Sequence, residues 1–218
     1  MGTITRSFAN NLTTGGVLKA DAFNNASLNN VTALNAGIAT GNMILLSSQT
    51  ASASATISFT TGIDSTYKEY QFWFIDIHPA TDEVALQVNF STDSGSNYNV
   101  TKTTTFFEVY HKEDDTAAGL DYGSSRDLAQ STAFQSLTSN IGNGNDESCS
   151  GYLQLFNPSS TTYVKHFISI TNDYNLSNIS VNNYIAGYGN TTSAINAVRF
   201  QMSSGNIDDG TILMYGIK

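Results

Sequence analysis

Residues 84–90 read Val-Ala-Leu-Gln-Val-Asn-Phe, in which an apolar side chain at every second position alternates with a small or polar one. This period of two predicts a β-strand with one buried and one exposed face. Turn residues follow in the run Asp93-Ser-Gly-Ser-Asn97, and residues 103–111 then form a further strand-like stretch. This part of the chain therefore predicts two strands joined by a turn.

Similar short stretches recur on both sides of this pair, at residues 44–48, 56–60, 68–77, 153–156, 163–170, 198–202 and 211–217. Residues 68–77 are apolar on both faces, which favours a central strand, and Asn157-Pro-Ser-Ser predicts a hairpin. About ten strands and no convincing helix predict an all-β protein, namely a jelly-roll-like antiparallel β-sandwich. The most consistent core positions are Phe72, Phe74, Leu86, Val88, Phe90, Phe200 and Leu213.

Residues 113–145 interrupt this pattern, because they are first acidic and then rich in Ser, Gly and Asn. Leu128, Phe134 and Leu137 show weak helical spacing within them. We predict a long loop with at most one helical turn, and long loops on sandwiches often carry function.

The chain before Gly41 has a different composition, which is rich in Asn, Thr, Ala and Gly and has no sustained apolar period. From Phe23 a short five-residue repeat fits neither the helical nor the strand period. We predict an extended attachment arm over residues 1–42 and a sandwich domain over residues 43–218. A flexible linker is the alternative interpretation of the first segment.

Composition excludes several classes of function. Net charge is −9, and the 9 Lys and Arg residues are scattered singly, whereas nucleic-acid binding requires basic clusters. No apolar run approaches the ~20 residues of a membrane span, so no membrane insertion is predicted, and residues 1–14 lack the apolar region of a secretory signal. Cys149 is the single cysteine, which excludes an internal disulfide and fits a reducing cytoplasm.

Signatures of catalysis are missing from the sequence. It contains no Gly-x-Ser-x-Gly elbow and no phosphate-binding glycine loop, so we predict a non-enzyme without a cofactor. The three histidines, at positions 78, 111 and 166, lack the spacing of a zinc site. Asp114, Asp115 and Asp121 could share a calcium ion, but a solvated acidic loop over residues 113–127 is the simpler interpretation.

Tyrosines provide the one binding signal, since five of them lie in or beside polar, loop-like stretches: Tyr98, Tyr122, Tyr174, Tyr184 and Tyr188. A flat ring surrounded by hydrogen-bonding groups is what a sugar-binding surface requires, so these are candidate glycan-contact residues. Tyrosine also serves at strand ends, where the ring packs and the hydroxyl stays in water. Both interpretations remain open.

Several segments resemble small virion structural proteins of marine tailed bacteriophages, chiefly those that infect cyanobacteria. They are TITRSFANN (3–11), GIDSTYKEY (62–70), NYNVTKTTT (97–105), FNPSSTTYV (156–164), RFQMSSGNI (199–207) and YGIK (215–218). The resemblance implies a non-enzymatic virion component made in the host bacterial cytoplasm, with other capsid or tail proteins as partners. Head decoration, a knob and a short tail fibre all fit.

Two alternatives accompany this interpretation. A tail-associated module that binds a host receptor or surface glycan is the second hypothesis, and a polysaccharide depolymerase is a distant third. Open edge strands with few charges or prolines also favour pairing between copies. We therefore expect a homo-oligomer, a trimer ahead of a dimer, joined through sandwich faces or edges.

Overall fold

Twelve β-strands and no helix make up residues 42–218, the part of the chain that the computed structural model describes. In chain order they are β1 (Met43–Thr50), β2 (Ile57–Phe59), β3 (Glu69–Pro79), β4 (Leu86–Ser91), β5 (Lys102–Lys112), β6 (Ala118–Tyr122), β7 (Gln135–Ser136), β8 (Cys149–Phe156), β9 (Lys165–Asn175), β10 (Ile179–Gly189), β11 (Ala197–Met202) and β12 (Ile207–Ile217). Every pair of neighbouring strands is antiparallel. The prediction of an all-β protein is confirmed.

The strands form two sheets that pack face to face. The large sheet has the order β1-β12-β3-β8-β9-β10-β5-β6, and the small sheet has the order β2-β11-β4-β7. Phe72 and Phe74 of the large sheet meet Phe200 of the small sheet, with ring centroids 5.4 and 5.2 Å apart. The antiparallel sandwich is therefore also confirmed.

The pairing of the strands is nested. β1 pairs with β12, β2 with β11, β3 with β8 and β4 with β7. Strands from the first part of the chain therefore pair, in reverse order, with strands from the later part. Jelly rolls share such nesting between two sheets, and the jelly-roll-like topology itself stays a prediction. The four strands β9, β10, β5 and β6 extend the large sheet beyond the nested pairs.

One part of the interior, which we call the apolar half, lies between the small sheet and strands β12, β3 and β8. Six of the seven predicted core residues are fully buried, with at most 1% of each side chain exposed: Phe72, Phe74, Leu86, Val88, Phe90 and Phe200. They belong to one contiguous cluster of buried apolar side chains. Alternation in the sequence thus identified the core of this half.

Leu213 was wrongly predicted to lie in the core, because both faces of β12 are apolar and alternation alone does not choose between them. Ile212 and Met214 point inward and are buried, so Leu213 lies on the opposite face. Irregular pairing with β3 at residues 207–211 sets this orientation. Gly210 lies there with φ +111°, and a Cβ at that position would come within 2.6 Å of the Asp76 carbonyl oxygen.

The other part of the interior, which we call the polar half, is the inner face of β9, β10 and β5. Its buried polar side chains are Lys102, Thr104, Lys165, Ser169, Thr171, Asp173 and Asn183. Residues 123–147, which we call the covering segment, bind to this face. The Thr171 hydroxyl donates to the Leu137 carbonyl at 2.5 Å, and the Thr104 hydroxyl donates to the Gln135 side chain at 2.5 Å.

The covering segment corrects part of the prediction for residues 113–145. The described residues there contain one helical turn, because the N–H groups of Arg126 and Asp127 both donate to the Gly123 carbonyl, at 2.9 and 3.1 Å. Two short strands, β6 and β7, also lie where only a loop was expected. Leu137 is fully buried because its N–H donates to Leu86 and its carbonyl accepts from Thr171. Beyond this turn, bonds to neighbouring strands hold the segment in place.

The predicted attachment arm, residues 1–42, lies outside the described residues apart from Asn42. Asn42 accepts a backbone hydrogen bond from Lys218 at 2.8 Å. Within residues 42–218 there is no helix with the length and hydropathy that crossing a bilayer requires.

Candidate functional site

The outer face of the large sheet, which points away from the small sheet, carries most of the exposed apolar side chains of residues 42–218. Eleven large apolar residues are exposed there and in the loops, and nine of them lie on this face. The nine are Met43, Leu45, Trp73, Ile75, Phe107, Val109, Leu120, Tyr122 and Ile168. Scattered exposed apolar residues are normal on proteins, but concentration on one face marks an interaction surface.

Strand register places some of these residues side by side across seven strands. We call this line the apolar row, and from β12 to β6 it contains Leu213, Trp73, Tyr152, Ile170, Tyr184, Phe107 and Tyr122. Each residue is the direct cross-strand partner of the next, so their side chains leave the sheet in the same direction. At about 4.8 Å per strand the row is roughly 29 Å long.

Aromatic contacts hold parts of the apolar row in place. The rings of Trp73 and Tyr152 have centroids 5.6 Å apart. The rings of Phe107 and Tyr184 stack with centroids 4.9 Å apart and an interplanar angle of 5°. Such pairs add about 0.5–1.5 kcal/mol each beyond the area they bury, so these four side chains hold one another in place.

On the strands that carry this surface, charged residues lie on the inner side of the sheet rather than on the outer face. The outward-facing residues of β8, β9, β10 and β5 include no Lys, Arg, Asp or Glu. Five charged-type residues of β5 and β9 instead lie on the inner side: Lys102, Glu108, Lys112, Lys165 and Asp173. A face that excludes charge while the interior accepts it is specialised for contact with something other than water.

A groove runs beside the apolar row, and we call it the Ala186 groove. Its volume is about 480 Å³, and its floor contains Ala186 on β10, between Ile168 of β9 and Thr105 of β5. Tyr188 and His166, with ring centroids 6.1 Å apart, form one wall. Small side chains on the floor thus leave a shallow groove between the rings of Tyr188 and His166 and those of the apolar row.

The structure brings four of the five predicted tyrosines to the outer face. Tyr122 and Tyr184 belong to the apolar row, Tyr188 lines the Ala186 groove, and Tyr174 lies on the same face of β9. The Tyr174 hydroxyl donates to Asn178 at 3.0 Å. All four lie within strands, but Tyr122, Tyr174 and Tyr188 lie at or next to a strand end, beside loop residues, and only Tyr184 lies in the middle of its strand.

Tyr98 lies elsewhere. The guanidinium carbon of Arg199, on the small sheet, lies 3.9 Å from the centroid of its ring. Its backbone carbonyl accepts a hydrogen bond from the buried Asn89 side chain at 2.7 Å. Tyr98 is therefore separated from the outer face, and its ring packs against its own domain.

Sequence reasoning missed Trp73, Tyr152, Phe107 and Ile168. One signal was available in the two apolar faces of β3, which were attributed to burial of a central strand. β3 is central, yet Trp73 and Ile75 are 38% and 42% exposed, because a two-layer sandwich buries only one face of each sheet. The second apolar face therefore indicated a contact surface.

Two buried titratable groups, Lys102 and Asp173, lie far apart on the inner face of the large sheet. Lys102 donates to Asn89 at 2.6 Å and to the Val100 carbonyl at 2.8 Å, and burial lowers its pKa to about 7. Asp173 accepts from Asn183 at 2.5 Å, and burial raises its pKa to about 6. Their partners on β10 are Gly189 and Val181, eight residues apart, so roughly 27 Å separates the two groups.

The acidic turn between β5 and β6 does not gather its carboxylates. Asp114 accepts from Thr116 and pairs with Lys112 at 3.0 Å, and these contacts lower its pKa to about 2. Asp115 contacts His111 at 3.1 Å. Among residues 42–218 no three His, Cys, Asp or Glu side chains are grouped as a metal site would require, so Asp121 does not join the other two.

Comparison with known proteins gives no family for this chain. No protein-family model, no curated protein and no solved structure matches it.

Proposed function

We propose that this chain is a non-enzymatic structural protein of a bacteriophage virion, such as a capsid decoration, a knob or a short fibre. The observation that supports it best is the outer face of the large sheet, which carries the apolar row and no charged residue on β8, β9, β10 or β5, and which suits a protein that acts by contact. In this proposal residues 1–42 attach the domain to the particle. The resemblance of its segments to marine phage virion proteins supplies the context, including synthesis in the host cytoplasm.

The partners in this proposal are other capsid or tail proteins and further copies of the chain. Contacts made by uncharged side chains depend weakly on salt, since screening acts mainly on exposed ions. Virion appendages also gain strength from repeated weak contacts, because linked sites raise effective concentration. A homo-oligomer, with a trimer favoured by the sequence, remains part of the proposal.

Deletion of residues 2–41 tests the attachment. We expect the shortened protein to keep the cooperative unfolding of the sandwich but to be missing from purified particles, whereas the full chain is incorporated. Labelled full-length protein, located on intact particles by electron microscopy, shows whether the site is the head or the tail. Normal occupancy by the shortened protein would show that residues 1–42 are not the anchor.

A second candidate function, a tail-associated module that binds a host glycan, is favoured by the Ala186 groove. Tyr188 and His166 offer ring faces, and Thr103 and Thr105 offer hydroxyls beside them. A glycan array of the full chain tests this function. Saturable binding that Tyr188→Ala abolishes and Tyr122→Ala preserves would support it, and absence of binding on the array would leave the structural role.

A further inference from the structure

We infer that the outer face of the large sheet binds the same face of a second copy of this chain, so that two large sheets stack about a two-fold axis. This inference deepens the proposed function and rests on it, because both assign contact to the same surface. It adds the identity of the partner and the symmetry of the contact. The apolar row would lie at the centre of that contact.

Charge explains why a second copy is the partner that fits. Each chain carries a net charge of −9, so two copies repel one another over most of their surfaces. The outward-facing residues of β8, β9, β10 and β5 contain no Lys, Arg, Asp or Glu. On this patch no direct pairs of like charges arise when the face meets itself.

The size of the face agrees with a stable pair. The six neighbouring strands from β3 to β6 in the large sheet, with β6 taken over its five residues and the others over about seven, cover about 650 Å². A two-fold pair would then bury about 1,300 Å² in total, which lies within the range of about 1,200–2,000 Å² for specific protein interfaces. Stacked sheets in sandwiches already pack this way, about 10 Å apart.

Protruding rings and a neighbouring groove on this face would allow two copies to fit into one another. Tyr184 and Tyr188 stand four residues apart on β10, with Ala186 between them. Large rings on one copy can enter the Ala186 groove on the other, and the two-fold symmetry repeats this fit. Exposed aromatic anchors such as Trp73 are the residues that usually dominate binding energy.

A face that binds itself produces a closed pair. A trimer would require two different surfaces on each copy, so the trimer favoured by the sequence and the pair inferred from the face are distinguishable. Analytical ultracentrifugation of the full chain at about 1–100 μM measures which is formed. We expect a monomer–dimer equilibrium that changes little between low and high salt.

Phe107→Glu is the decisive variant, because it places a charge inside the apolar row, and Trp73→Glu repeats the test on a second strand. We expect either change to weaken association by at least tenfold. Leu176→Glu is the matched control, since Leu176 is exposed in the turn between β9 and β10, outside the row. Each variant must keep the circular dichroism spectrum of the unaltered chain.

Disulfide trapping gives an independent readout of the symmetry. Cys149 is buried, so a cysteine introduced at the centre of the face is the only accessible thiol within residues 42–218. Ile170→Cys, on β9 beside β10, should yield a covalent dimer under mild oxidation. Leu176→Cys should yield far less.

Three results would overturn the inference: a monomer at 100 μM, a trimer, or a dimer that Phe107→Glu and Trp73→Glu leave intact. Incorporation into particles separates this failure from failure of the proposed function. A monomer whose incorporation still depends on Phe107 would mean that another virion protein covers the face, so the proposed function would stand. A dimer that is absent from particles would contradict the proposed function alone.

Discussion

The two halves of the interior share one apolar cluster but differ in how many polar side chains they bury. In the apolar half, Phe72, Phe74 and Phe200 exclude water and pack ring against ring. In the polar half, Thr171, Asp173 and their neighbours are buried just as deeply, but hydrogen bonds hold them. Hydrophobic burial tolerates many sequences, whereas a buried polar group is stabilising only while every partner is present.

Charges in the polar half lack partners of opposite sign. The two ion pairs found within residues 42–218 both lie in the exposed turn around Asp114 and Asp115. Lys102 and Lys165 donate to neutral oxygens, and Asp173 accepts from neutral donors. Because burial of an unpaired charge opposes folding, this half should respond to pH where the apolar half does not.

The largest expected effect is at an apolar core position of the small sheet. Phe90 is fully buried, with its ring centroid 5.2 Å from that of Phe167 on the inner face of β9. Phe90→Ala should lower the free energy of unfolding by about 3–5 kcal/mol, because it leaves a cavity. Phe107→Ala removes the same ring from the outer face and should have a much smaller effect in monomeric protein. Equal losses in urea unfolding would contradict the contrast between the two positions.

Lys102 provides the next largest effect, in the polar half. Its pKa is about 7 in the folded state and near 10.5 when unfolded, so the unfolded chain binds more protons between these values. The free energy of unfolding should therefore rise with pH from about 7 to 10, by roughly 2–4 kcal/mol. Lys102→Met should abolish most of that rise in urea titrations. A variant with an unchanged pH slope would show that Lys102 keeps its proton.

Asp173 should give a smaller dependence of the opposite sign. Burial raises its pKa from 3.8 to about 6, so the folded chain binds more protons between these values. The free energy of unfolding should fall by about 2 kcal/mol as pH rises from 4 to 6. Asp173→Asn should remove this fall in the free energy of unfolding between pH 4 and 6. Phe90→Ala should lower the free energy of unfolding at every pH without changing its dependence on pH. Together the two groups place a minimum of stability between pH 6 and 7.

The sequence predicted the apolar half well, because its strands alternate. β4 shows the alternation most clearly, and Leu86, Val88 and Phe90 are all buried as expected. β12 was harder, since Ile212 and Leu213 are equally apolar neighbours on opposite faces. Only the bulge at Gly210, which depends on contact with β3, decides which one is buried.

The polar half could not be predicted in the same way. β10 is an eleven-residue strand, yet Asn183 and Gly187 interrupt its inner face, so its alternation of apolar and polar residues is weak. Asn183 is buried because its amide donates to Asp173 and to Thr171 on β9. A partner on another strand thus replaces hydrophobicity as the reason for burial, and no local pattern reveals it.

The outer face was only partly predictable for a related reason. Tyr122 and Tyr184 were recognised as candidate contact residues, but Phe107 was not. The apolar row exists only because seven strands from distant parts of the chain pair in register. Register between distant strands is a tertiary property, so tyrosines could be recognised one by one while the surface they share could not.

Because the pairing is nested, strands that are synthesised early must wait for strands that are synthesised late before they can pair. Thr50 of β1 and Thr211 of β12 lie side by side although 161 residues separate them in the chain. Translation at about 5–20 residues per second would leave β1 and one edge of β3 without partners for roughly 10 s after β3 has emerged. During that interval the nascent chain presents two unpaired strand edges, so we expect ribosome-bound chaperones to be its first binding partners.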